Sequence, residues 1–237
     1  MVNEPVNLVT LRRAAAVLSR VEFLSGLEPD VIFALSDQVR QVETPRGEVI
    51  YVQDEPADGL HIILTGKVKI SCHSPDGREQ LLAIRGRGDI LGAVSVLDRG
   101  PRAATAMAMT NVSTAVVDND TLRLWMAEHP QIAQQLLRFM AGRLRRANND
   151  LLDIVFDDVP GRVAKELLHL AERFGNQHDG CWQVTHDLTQ TEIAQLIGAT
   201  RESVNKALCD FVHRGWITTD GKKALIHQPQ LLAKRAG

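Results

Sequence analysis

Cysteine is scarce in this chain of 237 residues, with Cys72, Cys181 and Cys209 the only three. They are odd in number, widely spaced and form no Cys-x-x-Cys pair. That argues against a disulfide framework or a cysteine-held zinc or iron–sulfur site, and for a reducing compartment. Long apolar runs are missing too, since none approaches the ~18 residues that span a bilayer. The first residues, MVNEPVNLVTLRR, carry an acid and a proline early and no extended apolar stretch, unlike a secretory signal. The expectation is a cytoplasmic protein with no membrane partner. Catalytic signatures are also lacking: there is no HExxH, GxSxG or P-loop, and no carboxylate pair at a meaningful spacing. The eight histidines are scattered. His61 and His73 lie in strand-like surroundings without a partner at metal-ligand spacing, and His186 reads as a capping or packing residue. Neither an enzyme nor a metal site is expected.

Excess charge of one sign is absent as well. The net charge is −2, from 27 basic and 29 acidic residues. The balance hides an asymmetry. Residues 160–237 hold ten Lys/Arg against eight Asp/Glu, and residues 1–159 hold 17 against 21. A weakly charged protein still binds a polyanion when its basic groups cluster at the contact.

With 44% hydrophobic and 24% charged residues, the chain has a globular balance and room for two domains. Its most informative stretch is Leu188–Ile217, which reads as helix, turn, helix. Thr189 is an N-cap candidate with Glu192 in capping-box spacing. Ile193, Ala194 and Ile197 give an apolar face, Gly198 breaks the helix, and Thr200 caps the next. Val204, Ala207, Leu208 and Phe211 then fall at i, i+3, i+4 and i+7 and face inward. The opposite face begins with Arg201, Glu202, Asn205 and Lys206. Arginine takes guanine O6 and N7 together, and glutamate accepts from cytosine N4, so this face suits the DNA major groove. Next comes Trp216-Ile-Thr-Thr, then Asp220-Gly221, Lys222-Lys223 and Ala224-Leu-Ile. Asp-Gly between β-prone runs signals a hairpin. With lysines at its tip it resembles the wing of a winged helix; those lysines either meet phosphates or merely keep the turn soluble.

Residues 8–37 carry helical spacing through Leu8, Leu11, Ala15, Leu18, Val31, Ala34 and Leu35. From 39 to 118, short β-prone runs (Val49–Val52, Leu60–Leu64, Val68–Ile70, Leu81–Ile84, Val112–Val117) alternate with glycines, the texture of a β-roll or jelly roll. Residues 121–157 read as one long helix, with Pro130 near its start or at a junction between two. Ala133, Leu137, Met140, Leu144, Ala147, Leu151 and Ile154 form a heptad seam, which predicts a parallel two-stranded coiled coil; a helix packed on its own domain is the alternative. Asp157-Asp158-Val-Pro160-Gly161 marks a hinge. The expected fold is thus α+β: a β-roll over 1–120, a dimerisation helix over 121–157 and a winged helix–turn–helix over 160–237.

That order of parts resembles the cAMP receptor protein/FNR family of bacterial transcription regulators. The residues that carry the resemblance are LTGKVKI (64–70), SPDGRE (74–79), DRGPR (98–102), LRRANND (144–150), DVPGRVAKELL (158–168) and HDLTQTEIAQLIGATRESVNKAL (186–208). The last two look most like the actinobacterial branch. The resemblance implies base reading of a palindromic TGTGA-like operator by Arg201, Glu202 and Lys206. It implies phosphate contacts at Thr189, Thr191, Thr200 and Ser203, beside Lys222 and Lys223, with RNA polymerase as a further partner.

The resemblance also implies a cyclic-nucleotide pocket, and there the chain departs from its family. Gly92, Ser95 and Arg102 stand where the family places them. The glutamate for the ribose is Ala93, and the hydroxyls after the phosphate-binding arginine are Ala103 and Ala104. On the long helix the adenine positions carry Ala147 and Asn148, with Arg143 near the ligand. Each neutral hydrogen bond lost is worth about 0.5–1.5 kcal/mol, and one to a charged group about 1.5–3 kcal/mol. Unless Arg102 and backbone amides suffice, or nearby Thr105 compensates, cAMP affinity falls sharply. The expectation is DNA binding without cAMP, the ordinary cAMP-activated regulator being the alternative.

Overall fold

The computed structural model describes residues 15–19, 21, 24 and 26–237. Leu8 and Leu11 lie outside them. A helical turn at 15–18 is followed by α1 (Pro29–Ser36). Leu18 and Leu35 are buried as the spacing predicts, but Ala34 is exposed and Ile32 takes the inward place.

Two four-stranded sheets follow. Their strands are β1 (Arg40–Thr44), β2 (Val49–Tyr51), β3 (Gly59–Thr65), β4 (Val68–His73), β5 (Glu79–Arg85), β6 (Ile90–Leu91), β7 (Thr105–Ala108) and β8 (Val112–Asp118). The orders are β1-β8-β3-β6 and β2-β7-β4-β5. The sequence pattern finds five of these strands; β1, β6 and β7 escape it because they are short or carry few β-branched residues. Ile63, Val68, Ile70, Leu91, Ala106, Ala108 and Val112 form one buried cluster. A second cluster lies under the helices, where Leu60, Ile62, Ala115 and Val117 meet Leu122, Trp125, Ile132 and Leu136. Trp125 is fully buried, and its indole N–H donates to Gln38 Oε1 at 2.8 Å, so the ring adds apolar contact without stranding a donor. A short helix, α2 (Ala93–Asp98), separates β6 from β7.

The expected long helix is two: α3 (Asn119–Glu128) and α4 (Pro130–Phe156). His129 between them is non-helical, at φ −129° and ψ 81°, because Pro130 pushes its predecessor out of the α region. The alternative reading, a helix packed on its own domain, holds for one face of α4, and the seam residue Met140 also packs partly on that core. Ile132, Leu136 and Phe139 are buried in the β-roll unit, whereas Leu137, Leu144 and Leu151 of the seam are 71%, 63% and 62% exposed.

Asp158 caps α5 (Val159–Phe174) by accepting from the Gly161 amide at 2.9 Å. Then come β9 (Gly175–His178), β10 (Cys181–Thr185), α6 (Gln190–Leu196), α7 (Arg201–His213), β11 (Ile217–Asp220), β12 (Lys223–Ile226) and α8 (Pro229–Ala236). The strands form a sheet in the order β11-β12-β10-β9. The chain divides into two compact units: one holds residues up to Glu79 with Ala83–Arg143, the other Gln80–Leu82 with Leu144–Gly237. The long helix α4 is shared between them.

Candidate nucleic-acid interface and effector pocket

The helix–turn–helix is built by local rules. Thr189 Oγ1 accepts from the Glu192 amide at 3.2 Å while Glu192 Oε2 accepts from the Thr189 amide at 2.8 Å, closing the capping box. At the other end of α6, Gly198 takes φ +63°. Its amide reaches Gln195 O, and the Ala199 amide reaches Ala194 O at 2.9 Å, the paired bonds of a Schellman ending. Thr200 then caps α7 through the Ser203 amide at 3.2 Å. Val204, Ala207, Leu208 and Phe211 are all buried. That leaves Arg201, Glu202, Asn205 and Lys206 exposed on the opposite face. Thr189, Thr191 and Thr200 are exposed around the same turn, and Ser203 is half-buried.

The wing differs by one residue from its sequence reading. Asp220 pairs with Lys223, so the two-residue loop is Gly221-Lys222. Gly221 has φ +56°, the left-handed first loop position of a type II′ hairpin. Lys222 alone stands at the tip, and Lys223 opens β12; both are exposed. The Lys222 carbonyl accepts from the His186 amide at 3.0 Å, which ties the wing to the chain just before α6. His186 is a buried acceptor whose Nδ1 takes the Leu188 amide at 3.1 Å, in keeping with a packing role.

In the β-roll unit, a cavity of about 60 Å³ is lined by Tyr51, Arg85, Gly92, Ala93, Ser95, Ala103, Ala104 and Arg143, among others. This is far below the roughly 300–1,000 Å³ of ordinary small-ligand sites. Ser95 is committed to its own loop, its hydroxyl accepting from the Ala103 amide at 3.2 Å. Thr105 is also committed, to the Gln53 amide at 3.0 Å. Ala147 and Asn148 are exposed on α4 and do not line the cavity.

Arg102 does not line it either. The side chain is 1% exposed, and its Nη2 donates to Asp58 Oδ1 and, at 2.9 Å, to the Gly59 carbonyl. The guanidinium lies 4.2 Å over the Tyr51 ring. It presses so closely on Gly92 that a side chain at 92 would strike Nη1. Its Nε and Nη1 are buried without partners. Burial works against the Asp58 charge, but His61 and Arg102 hold its carboxyl below the usual range. Burial, with Arg102 adding, pushes His61 down to about 4 despite Asp58 at 3.7 Å. Burial likewise raises the Tyr51 phenol, whose oxygen meets the Gly92 amide. Arg102 Nε and Nη1 thus stand outside the cavity, buried beside Tyr51 and Gly92, and the cavity itself is too small for a whole nucleotide. The sequence reading missed Tyr51, Asp58 and His61; the one available signal is that Tyr51 is the only tyrosine.

A β-roll and a capped helix–turn–helix followed by a hairpin with exposed lysines define a class of two-part regulators. Comparison with known proteins agrees. Residues 41–129 match the cyclic nucleotide-binding domain, and residues 161–235 match the Crp-like helix-turn-helix domain. The chain is 54% identical over 220 residues to the CRP-like cAMP-activated global transcriptional regulator of Mycobacterium tuberculosis, covering 93% of this chain and 98% of that one. It is 28% identical to the cyclic AMP receptor protein of Thermus thermophilus, over 89% and 94% of the two chains. The solved structure of FixK2 from Bradyrhizobium japonicum superposes with a TM-score of 0.74 at 26% identity, covering 84% of this chain and 98% of that one. The chain belongs to the CRP/FNR family of transcriptional regulators, whose members are DNA-binding dimers and not enzymes. Among the described residues no helix is long and apolar enough to cross a membrane.

Proposed function

We propose that this protein is a cytoplasmic homodimer that reads a palindromic TGTGA-like operator and binds it without cAMP. The exposed face of α7 carries the DNA reading, with Arg201, Glu202 and Lys206 turned away from a fully buried opposite stripe. Arg201 and Glu202 supply the guanine and cytosine contacts. Thr189, Thr191, Thr200, Ser203, Lys222 and Lys223 set the register on phosphates. The seam at Leu137, Met140, Leu144, Leu151 and Ile154 pairs two copies, and the operator's two-fold follows from that pairing. RNA polymerase is the partner that such a dimer recruits or blocks.

The effector reading rests on the cavity of about 60 Å³. Tyr51 occupies the space under Arg102, and Ala93, Ala103 and Ala104 offer no hydroxyl or carboxylate to a ribose or cyclic phosphate. A ligand shifts a conformational equilibrium only by its differential affinity, and this site has little to offer cAMP. A second reading, cAMP activation, is favoured by one observation: Arg102 Nε and Nη1 have no partner and would welcome a phosphate. Calorimetry with cAMP decides between them. The unaltered protein is expected to show no micromolar binding, and Ala93→Glu with Ala103→Thr and Ala104→Ser to gain it. Micromolar binding by the unaltered protein, with a large gain in operator affinity, would establish the second reading.

A further inference from the structure

Arg162 stands fourth in α5, in a helix whose first turn needs no cation. Its side chain runs back to the end of α4. There Nη1 donates to the carbonyls of Asp157 at 2.7 Å, Ile154 at 3.2 Å and Asp153 at 3.4 Å. Nη2 donates to Gly198 O at 3.4 Å. All five residues lie within the C-terminal unit. The first three carbonyls close the C-terminus of α4. The fourth belongs to Gly198, in the turn between α6 and α7, two residues before the cap of α7. A helix C-terminus leaves carbonyls unsatisfied and carries partial negative charge. One guanidinium therefore caps the end of α4 and ties it to the turn, and its planar fork holds the two in a fixed relation.

A second contact spans the same junction. A Cβ at Gly198 would lie 3.3 Å from Ile154 Cδ1, so the seam residue Ile154 packs directly against the turn of the helix–turn–helix. A third tie is Lys165 to Asp153, at 2.6 Å. Neither of these reaches a carbonyl of the turn. Among these three contacts of the described residues, only Arg162 hydrogen-bonds both the end of α4 and the turn.

We infer that Arg162 is the positioning residue that sets the angle between the last turns of the dimer helix and the recognition helix. It touches no base and is not expected to touch a phosphate. Its effect on DNA binding is geometric. In a dimer the two α7 helices must meet major grooves one helical turn apart, and a change of angle at each junction changes that separation twice. The inference rests on the dimeric, operator-reading function proposed above.

The test uses the full-length dimer and three sets of duplexes: the operator it selects, the same operator with one base pair added or removed between half-sites, and one with a half-site scrambled. The unaltered protein should prefer its own spacing by about tenfold, an ordinary size for coupling between sites. Arg162→Ala should bring that preference below about threefold while half-site affinity, dimer dissociation and salt dependence stay unchanged. Arg162→Lys keeps the stem and charge but not the fork, and should behave similarly; it decides the matter if the alanine variant fails to fold. Retention of the spacing preference in a folded variant would overturn the inference. So would a uniform loss with a shallower salt slope, since that marks a phosphate contact. If the unaltered protein selects no palindrome, the operator reading itself has failed, a separate result.

Discussion

The two ends of this chain are built differently. The C-terminal unit presents Arg201, Glu202, Asn205 and Lys206 on one exposed helix face, and its interior follows local rules of capping and helical spacing. The β-roll unit presents Ala93, Ala103 and Ala104 to a cavity of about 60 Å³, and none of the three offers a hydroxyl or carboxylate. Beside it Arg102 is bonded to Asp58 and Gly59 and stacks on Tyr51. A helix face is set by local periodicity, whereas a pocket is set by side chains that only the fold brings together.

The largest effect expected falls on assembly, which both units depend on. Leu144→Asp places two carboxylates face to face in the seam and should give monomers that lose specific operator binding by ~100-fold or more. Sedimentation and gel shift check it; a variant that stays dimeric would move the interface elsewhere.

Next comes a pH test of the pocket's buried histidine. His61 ionises near 6.5 when unfolded and near 4 when folded, so below 6.5 the unfolded chain binds the extra proton. Stability is full above about pH 6.5 and falls as pH drops toward 4, by about 3 kcal/mol in all. Denaturant melts across that range should show the decline, and His61→Phe should flatten it. An unchanged slope in the variant would mean that His61 titrates normally.

Arg201→Ala should cost roughly 1–3 kcal/mol at one guanine and relax discrimination there. Discrimination at that guanine left unchanged by the substitution would show that another residue reads the base. Saturating cAMP should alter operator affinity by less than about fivefold, or ~1 kcal/mol. A larger response would erase the contrast between the two units. The smallest effect is expected of Lys222→Ala at the wing tip. It should weaken all sequences alike and reduce the salt slope by about 1, whereas a sequence-dependent loss would make the wing a reader of bases.

Much of the second unit was legible in the sequence because its determinants are local. A capping box needs Thr189 and Glu192 three residues apart, a Schellman ending needs Gly198, and the buried stripe of α7 needs only period 3.6. The wing's loop shifted by one residue because strand register, not the Asp-Gly dipeptide, fixes the turn. Pro130 divided the long helix for a reason also visible in the sequence, the constraint on the residue before a proline. That Ala93, Ala103 and Ala104 offer no side-chain hydrogen bond could be read without any coordinates.

Tertiary structure alone decided what lies beside them. Asp58 and Arg102 are 44 positions apart, and Tyr51 lies further still along the chain from the arginine it stacks on. No periodicity joins them; they meet because β2, β3 and the loop before β7 converge on one end of the roll. The same holds for Arg162 and Gly198, 36 positions apart. The sequence determined which helices end where, since each ending is settled within a few residues. Which cation would close the end of α4 and tie it to the turn depended on long-range geometry, because carbonyls left over at a helix terminus accept from whatever donor the fold brings within 3 Å or so.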